Sequence, residues 1–441
     1  MKRLLSLLLC AVLALFCATT AQAAGVSITL TASEYALHYA FDAGAQDPFV
    51  ILEYTTPAEK GWMMLYSADG HFEGDVSLAY SGAGGKTSVA LTSARTTGSI
   101  GKASTTLPKA ADYQKPTGKS NAKVMDFVLT ETPEGFHYAF NAAGTDYMLL
   151  YWRSKEQTVT QPVYPDENGH YEGDVISDLT FARTQFTVQV KSGSGSMKKE
   201  ATVRKGYQAP EAPQRQEGRL SGVTVCIDAG HQENGRFVNE PIGPGLTGST
   251  SGKGGMAQGT KTNRRESIVC LEIGMLLRDE LLRQGANVVM TREDQTTFHT
   301  NIERCEIAEA GGAQIMLRLH CNNSSNRSKR GIQVYGPLNS DYAKAVADAD
   351  TYREMGQKLL DAMKTRVGMT LANSTGMVRL NDNYVGNNWA KMMCFLVEMG
   401  YLSNPAEEYL LVTPVYQQWL AEGMADGVYE IAVARGWVQA Q

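Results

Sequence analysis

The segment VTVCIDAGH, residues 223–231, indicates the fold of the C-terminal half of the chain. Its apolar run is typical of a buried strand, and a turn with Gly230 follows it. Downstream, further apolar runs alternate with segments of helical period. The predicted strands are 287–291, 313–320, 331–335 and 394–398, and the predicted helices are 266–285, 301–312, 341–366 and 415–435. This alternation predicts an α/β domain with a mostly parallel sheet over residues 220–441.

Polar residues follow three of these strands and begin one helix. His231, His320 and Glu398 each come at the end of a predicted strand, and Glu266 begins the helix after a glycine-rich loop. Ligand sites of α/β sheets gather at the carboxyl ends of the strands. Two imidazoles and a carboxylate are a zinc ligand set, and a further carboxylate can serve as a base. Spacing alone leaves open that each residue merely ends a strand or begins a helix, because the four are dispersed and form no HExxH motif.

The C-terminal half resembles the zinc-dependent N-acetylmuramoyl-L-alanine amidases of the amidase-3 type. The stretches that carry the resemblance are VCIDAGHQ (225–232), RRESIVCLEIGMLLRDEL (264–281), NVVMTRED (287–294), NIERCEIAEAGGAQIMLRLHCN (301–322) and FLVEMGYLSNPAEEYLL (395–411). The sequence departs from the family pattern beside the two histidines, at Ala229, Gln232, Arg318, Leu319 and Cys321, but at none of the four polar positions.

The resemblance implies a function and a role for each polar residue. His231, Glu266 and His320 would hold one Zn²⁺ ion, and Glu398 would be the catalytic glutamate. The substrate would be peptidoglycan, cut between N-acetylmuramic acid and L-alanine. Two alternatives stay open: a zinc hydrolase that acts on another cell-wall amide, and a non-catalytic wall-binding scaffold.

The sequence suggests roles for two neighbouring features. Asp228 stands three residues before His231 and could orient an imidazole. The long glycine-rich loop over 232–261 could be a flexible rim over a substrate groove or a disordered insertion.

The N-terminal half contains two similar segments. HYAF at 38–41 recurs at 137–140, and HFEGDV at 71–76 recurs as HYEGDV at 170–175, both 99 residues later. Short period-two apolar runs separated by turn residues predict two all-β sandwich repeats, over 26–110 and 122–207, with a linker over 208–219. The repeated His38 and His137 are expected to pack within the sandwich, as are Tyr39 and Tyr138. The repeats could contact wall glycan or a protein, or act as spacers.

The first residues predict export. Lys2 and Arg3 precede an apolar run, and Ala21 and Ala23 flank Gln22, which together predict a signal peptide over 1–23 with cleavage near Ala23. An uncleaved membrane anchor is the alternative, although the run is short for a spanning helix. The mature protein is expected to be secreted or in the cell envelope, with no membrane span.

Charge and cysteine content narrow the function further. Loss of Lys2 and Arg3 would take the net charge from −5 to −7, which argues against nucleic-acid binding. The remaining cysteines are an odd number without a CxxC pair, and most lie in apolar runs, so buried free thiols are expected. They are Cys226, Cys270, Cys305, Cys321 and Cys394.

Overall fold

The chain divides into two compact units, Met1–Gly206 and Tyr207–Gln441. The computed structural model describes residues 18–22, 25–133, 135–154, 157–176, 185–204, 209–232, 238–250, 255–368 and 378–440. Most of the predicted signal peptide, with its cleavage site near Ala23, lies outside the described residues. Within it, residues 18–22 form a strand that pairs with residues 27–31.

The N-terminal unit is built from β-strands. Those of its first segment are β1 (Ala18–Gln22), β2 (Ser27–Ala32), β3 (Ala36–Asp42), β4 (Phe49–Thr55), β5 (Glu59–Tyr66), β6 (His71–Ser77), β7 (Gly85–Ser93) and β8 (Ser99–Leu107). Those of its second segment are β9 (Met125–Thr132), β10 (Gly135–Asn141), β11 (Met148–Arg153), β12 (Gln157–Val163), β13 (His170–Ile176), β14 (Gln185–Lys191) and β15 (Met197–Arg204). The strands that contain the two repeated motifs, β3 and β6, recur as β10 and β13.

The described residues of this unit form three sheets, with strand orders β1-β2-β3-β6, β13-β10-β9 and β15-β14-β11-β12-β5-β4-β7-β8. One apolar core combines buried residues of β2 and β3 with those of β4, β7 and β8, and a second core does the same in the second segment. The eight-stranded sheet runs through both segments because β12 pairs with β5. The sequence did not predict this continuity.

Alternation along β3 and β10 decides which of the repeated residues are core. Tyr39 and Tyr138 are buried as expected, each 7% exposed. The side chains of His38 and His137 are 36% and 30% exposed, on the opposite face of their strands. The expectation that these two histidines pack inside was therefore wrong, because side chains one residue apart on a strand point to opposite faces.

The C-terminal unit is an α/β domain. Its strands are β16 (Thr224–Ala229), β17 (Asn287–Met290), β18 (Ile315–Asn322), β19 (Gln333–Gly336), β20 (Arg379–Leu380) and β21 (Met393–Tyr401). Its helices are α1 (Glu266–Arg283), α2 (Asn301–Ala310), α3 (Asp341–Val346), α4 (Ala349–Val367), α5 (Val385–Trp389), α6 (Glu407–Leu410) and α7 (Pro414–Ala434). The helix predicted over 341–366 is therefore two helices, divided at residues 347–348.

The sheet of this unit is mixed, with order β17-β16-β18-β21-β19-β20. Its first four strands run parallel, but β19 pairs antiparallel with β21. A short connection without a helix joins β18 to β19, and a parallel return needs a longer crossover. The prediction of a mostly parallel sheet is therefore not confirmed, because the sheet is mixed.

Two further expectations concern thiols and membrane spans. The five cysteines of this unit are free and buried, as expected. Among the helices of the described residues, none is long and apolar enough to cross a bilayer.

A backbone contact also ties the predicted linker to this unit, since Gln216 N–H donates to the carbonyl of Leu282 at 3.0 Å.

Candidate metal centre

His231 lies just beyond β16, in a backbone conformation that few residues adopt. Its φ is +56°, and Gly230 before it donates to the Leu319 carbonyl of β18 at 2.9 Å. A Cβ on Gly230 would lie 2.4 Å from the Leu319 oxygen and 2.7 Å from Cε1 of His320. Only glycine fits there, and it brings His231 close to His320.

Glu266 is the first residue of α1 and joins the two histidines. Its Oε1 lies 3.1 Å from His231 Nε2 and 2.9 Å from His320 Nδ1. Backbone N–H groups of Ala257 and Cys321 also donate to this carboxylate, at 2.7 and 3.0 Å. The side chain is almost fully buried, so these four contacts fix its position.

The three side chains fit a bound zinc ion. Their ligand atoms all lie within 4.8 Å of one another. Atoms that share a tetrahedral zinc at ~2.0–2.1 Å stand about 3.3 Å apart, close to the two contacts of Glu266 Oε1. Two imidazole nitrogens and one carboxylate oxygen are also the donors that a catalytic zinc site uses, with one position left for water.

The charges at this cluster favour a cation. Burial alone would raise the pKa of Glu266, but the contacts with His231 and His320 outweigh it and hold the pKa below its usual value. Burial lowers the pKa of His320, so its imidazole favours the neutral form that binds metals. The cluster therefore offers one negative charge and, at His320, a neutral nitrogen donor.

Glu398 lies beside this cluster on β21. It is the direct cross-strand partner of His320, so the two side chains project from the same face of the sheet. Its Oε2 and His320 Nε2 are both buried and have no hydrogen-bond partner among the described residues. Burial, and then the negative charge of Glu266, raise the pKa of Glu398 to about 8. Buried polar atoms that lack a hydrogen-bond partner, on two residues that lie side by side on adjacent strands, are typical of a site that receives a ligand.

Two buried arginines hold the loop that carries His231. Arg292 donates to the carbonyl oxygens of Ala229, Gly230 and Ser267 at 2.7–2.8 Å. Arg304 donates to the carbonyls of Ala229 and His231, at 3.0 and 3.2 Å. The sequence did not reveal these roles, because an arginine in a loop or helix reads as a solvated side chain.

Asp228 does not contact either histidine, contrary to the role suggested from its spacing. It is fully buried and pairs with Arg304 and with Arg318, whose Nε lies 2.9 Å from Oδ2. Thr291 donates to it as well, at 2.8 Å. Burial would raise the pKa of Asp228, but the two arginines hold it well below the usual range. Asp228 therefore anchors the arginines instead of an imidazole.

The segment after β21, residues 403–408, holds the loops around the cluster. Glu408 accepts hydrogen bonds from backbone N–H groups of Lys261 and Thr262 at 2.9 and 3.1 Å. Glu407 accepts from the N–H of Gly331, and Asn404 donates to the carbonyl of Arg327. The segment SNPAEE thus supports the loops before α1 and after β18, a role that the sequence did not predict.

The loop predicted over 232–261 is described in part. Residues 233–237 and 251–254 lie outside the described residues. Between them, Pro241 and Ser249 form an isolated antiparallel bridge, and the Glu240 carboxylate accepts from the N–H groups of Asn301 and Ile302 at the start of α2. This part of the loop is therefore fixed to the domain.

Comparison with known proteins identifies the domain. Residues 225–430 match the amidase-3 family model, described as N-acetylmuramoyl-L-alanine amidase. These residues form an amidase-3 domain. The match spans β16 to α7, so it includes His231, Glu266, His320 and Glu398.

Relatives of the amidase-3 domain carry corresponding names. A germination-specific N-acetylmuramoyl-L-alanine amidase of Bacillus subtilis (strain 168) is 26% identical over 231 residues, covering 49% of this chain and 83% of the relative. A probable cell wall amidase, LytH, of Staphylococcus aureus is 27% identical over 218 residues, covering 48% of this chain and 60% of the relative.

Solved structures also align with the amidase-3 domain. The amidase Ami1 of Mycobacterium smegmatis is 18% identical with a TM-score of 0.44, over 49% of this chain and all of that one. An N-acetylmuramoyl-L-alanine amidase of Clostridium difficile 630 is 23% identical with a TM-score of 0.38, over 48% of this chain and 96% of that one.

Proposed function

We propose that this chain is an exported, zinc-dependent N-acetylmuramoyl-L-alanine amidase. It hydrolyses the amide between the lactyl group of N-acetylmuramic acid and L-alanine in peptidoglycan. The observation that carries the proposal is the shared Glu266 oxygen between His231 and His320, with the unpaired carboxylate of Glu398 on the neighbouring strand. The family match and the names of the relatives supply the substrate class.

His231, Glu266 and His320 are the residues that would hold one zinc ion. When bound, zinc supplies Lewis acidity, which lowers the pKa of a water molecule and polarises the scissile carbonyl. The protein contributes a prearranged ligand set, because the backbone N–H groups of Ala257 and Cys321 fix the Glu266 carboxylate. The close approach of Gly230 to β18 brings His231 to His320.

Glu398 moves the proton in this proposal. Its carboxylate accepts a proton from the attacking water while the water oxygen bonds to the lactyl carbonyl carbon. The same carboxyl group then delivers the proton to the alanine nitrogen, and the carbon–nitrogen bond breaks. A pKa raised to about 8 lets one group perform both transfers near neutral pH.

The remaining parts of the proposal concern location. The predicted signal peptide over 1–23 supports export to the cell envelope or beyond, where peptidoglycan lies.

The N-terminal repeats, predicted as two β sandwiches, are proposed to contact wall glycan or a wall protein. Their polar strand faces support such a contact, since the exposed side chains include His38 and His137.

Product analysis tests which bond is cut. The full chain, loaded with zinc, is incubated with purified muropeptides, and the products are separated and identified by mass. The proposal expects stem peptides with a free L-alanine amino group and sugars that end in an intact lactyl carboxylate. A new amino group elsewhere in the stem peptide or on the sugar would support a hydrolase of another wall amide instead, and no product at all would support a binding scaffold.

A further inference from the structure

Each segment of the N-terminal unit presents an exposed cluster of two histidines around one glutamate. In the first segment, His38 on β3 lies directly opposite Asp75 on β6, and Asp42 lies opposite His71. Glu73 stands between them on β6 and is opposite Ala40. All of these side chains lie on the outer face, since Tyr39, Phe41 and Phe72 fill the core.

The two nitrogens of each histidine have different partners. Nδ1 of His38 lies 3.1 Å from Asp75 Oδ1, and Nδ1 of His71 lies 2.7 Å from Asp42 Oδ1. Nε2 of His38 lies 3.4 Å from one oxygen of Glu73, and Nε2 of His71 lies 3.6 Å from the other. The glutamate is therefore placed between the two outer nitrogens.

The second segment repeats this arrangement atom by atom. Nδ1 of His137 lies 2.9 Å from Asp174, and Nδ1 of His170 lies 2.8 Å from Asn141 Oδ1. Nε2 of each histidine lies near Glu172, at 3.2 Å for His137 and 3.8 Å for His170. One position differs in chemistry, because Asn141 occupies the place of Asp42.

The outward-facing polar residues recur together with core residues of the same strands. Tyr39 and Phe41 on β3 recur as Tyr138 and Phe140 on β10. The outward-facing His38, His71, Glu73 and Asp75 all recur unchanged. Exposed ion pairs contribute little to stability, so stability gives a weak reason to retain them.

In each cluster, the histidine nitrogen that is available to bind a cation is Nε2. An ionised carboxylate only accepts hydrogen bonds, so Nδ1–H of His38 and His71 donates to the aspartates. In a neutral imidazole, Nε2 then carries a lone pair directed at another carboxylate, which is unfavourable unless a proton or a metal ion lies between them. Histidines that bind metals commonly donate their other N–H to a carboxylate in this way.

We propose that each of these clusters binds one divalent transition-metal ion, zinc in the first instance. The ligands are Nε2 of His38 and His71 with Glu73 in the first cluster, and Nε2 of His137 and His170 with Glu172 in the second. Imidazole and carboxylate donors suit zinc, and three protein ligands leave a position for water or a wall component.

Binding requires the side chains of each cluster to draw closer together. Among the described residues, the group whose ligand atoms already lie within 4.8 Å of one another is the one at His231, Glu266 and His320. In the N-terminal clusters the two histidines contact different oxygens of the glutamate, so an ion must draw the side chains together. Their exposure permits this, because His71 is 50% and Glu73 58% exposed.

The two sites should differ in affinity. Asp42 is a charged partner for Nδ1–H of His71, whereas Asn141 is a neutral one for His170. Partners of this kind alter metal affinity by about 10–100-fold. The second site is therefore expected to bind about tenfold more weakly, and Asn141→Asp should reduce the difference.

Equilibrium dialysis of the full, chelator-treated chain against zinc at pH 7.5 tests the proposal. The double variant Glu73→Gln/Glu172→Gln should bind about two fewer zinc ions per chain than the parent. A matched control, Glu53→Gln/Glu167→Gln, changes two exposed carboxylates with the same charge effect and should bind as the parent does. Because the comparison is a difference, it does not depend on zinc at the amidase-3 domain.

The outcomes are separable. Equal zinc binding by the parent and the Glu73→Gln/Glu172→Gln variant overturns the proposal. It would mean that protons, and not metal ions, lie between the histidines and the glutamate of each cluster. Loss of the tighter site in Glu73→Gln alone, and of the weaker site in Glu172→Gln alone, supports it. A circular-dichroism melt of each variant without zinc checks folding, and a parent-like melt attributes the lost zinc to the removed ligand.

Discussion

Arg304 binds the buried carboxylate of Asp228 and, through the same guanidinium group, the carbonyl oxygen of His231. This contact links α2 to the loop after β16. Arg318 on β18 binds the other oxygen of Asp228, so three elements meet at one carboxylate. The relative positions of His231, Glu266 and His320 therefore depend on a charge network whose described contacts do not reach their side chains.

The substitution Asp228→Asn should destabilise the C-terminal unit strongly. It leaves Arg304 and Arg318 buried without their negative partner, and breaking such a pair costs about 3–5 kcal/mol. Urea unfolding at pH 7 measures the loss. Asp350→Asn is the control, because Asp350 is 94% exposed and should change the free energy of unfolding by less than about 0.5 kcal/mol. Equal stability of the two variants would refute the network's role.

Glu398→Gln should stabilise the zinc-free protein at high pH. The pKa of Glu398 is raised to about 8 by burial and by Glu266, so the folded state prefers the protonated carboxyl. The unfolded state ionises near pH 4.5, and the parent therefore loses stability as the pH rises from about 4.5 to 8. Glutamine has no proton to lose and avoids this loss.

Thermal unfolding in the presence of a chelator at pH 5 and pH 8 tests this prediction. The melting temperature of Glu398→Gln should exceed that of the parent at pH 8, and the difference should shrink at pH 5. Glu430→Gln, an exposed substitution on α7, should show no such dependence. A parent that is the more stable protein at pH 8 would disprove the expectation.

Glu408→Gln should loosen the loop that leads to Glu266. The carboxylate accepts from the N–H groups of Lys261 and Thr262 and from the hydroxyls of Thr260 and Thr262. A glutamine oxygen can still accept from both N–H groups, which bond the same carboxylate oxygen, but it carries no negative charge. A hydrogen bond to a charged group contributes about 1 kcal/mol more than one to a neutral group, so these bonds should weaken.

Hydrogen exchange measures this effect directly. The amides of Lys261 and Thr262 should exchange about tenfold faster or more in Glu408→Gln, and the exposed control Glu354→Gln should exchange as the parent does. Unchanged protection in Glu408→Gln would mean that the loop is held by other contacts.

The five thiols of the C-terminal unit should resist alkylation in the native state. They are buried, and burial raises the pKa of Cys226, Cys321 and Cys394 well above the usual value, so little thiolate forms. Mass spectrometry after iodoacetamide treatment at pH 8 should find them unlabelled, and all five labelled in urea. Rapid native labelling of any of them would contradict the buried positions.

Local patterns predicted most elements of the C-terminal unit and put four polar residues at strand ends or at a helix start. Spacing left the roles of these residues open, and the family resemblance assigned them. The end of each apolar strand marked His231, His320 and Glu398, because parallel strands end at one edge of a sheet. The strand β19 was predicted but its antiparallel direction was missed, although the short, turn-rich connection from β18 to β19 indicated it. The length of this connection alone argued that β19 runs antiparallel to β18, because a parallel strand needs a longer crossover.

Other features depend on contacts between distant residues and left no local signal. Asp228 pairs with arginines 76 and 90 residues away, and Glu408 binds a loop 146–148 residues before it. The outward orientation of His38 and His137 was predictable in principle, since Tyr39 and Tyr138 beside them are core residues and strand neighbours alternate.

The zinc content and turnover of purified Glu398→Gln, measured together, test the proposed roles most directly. The variant should retain one zinc ion at the amidase-3 domain, as the parent does, while its rate on muropeptides falls by about 10²–10⁴-fold. His320→Ala should lose that zinc and the activity together. Loss of this zinc from Glu398→Gln, or turnover close to that of the parent, would contradict the assignment of His231, Glu266 and His320 as ligands and Glu398 as the proton carrier.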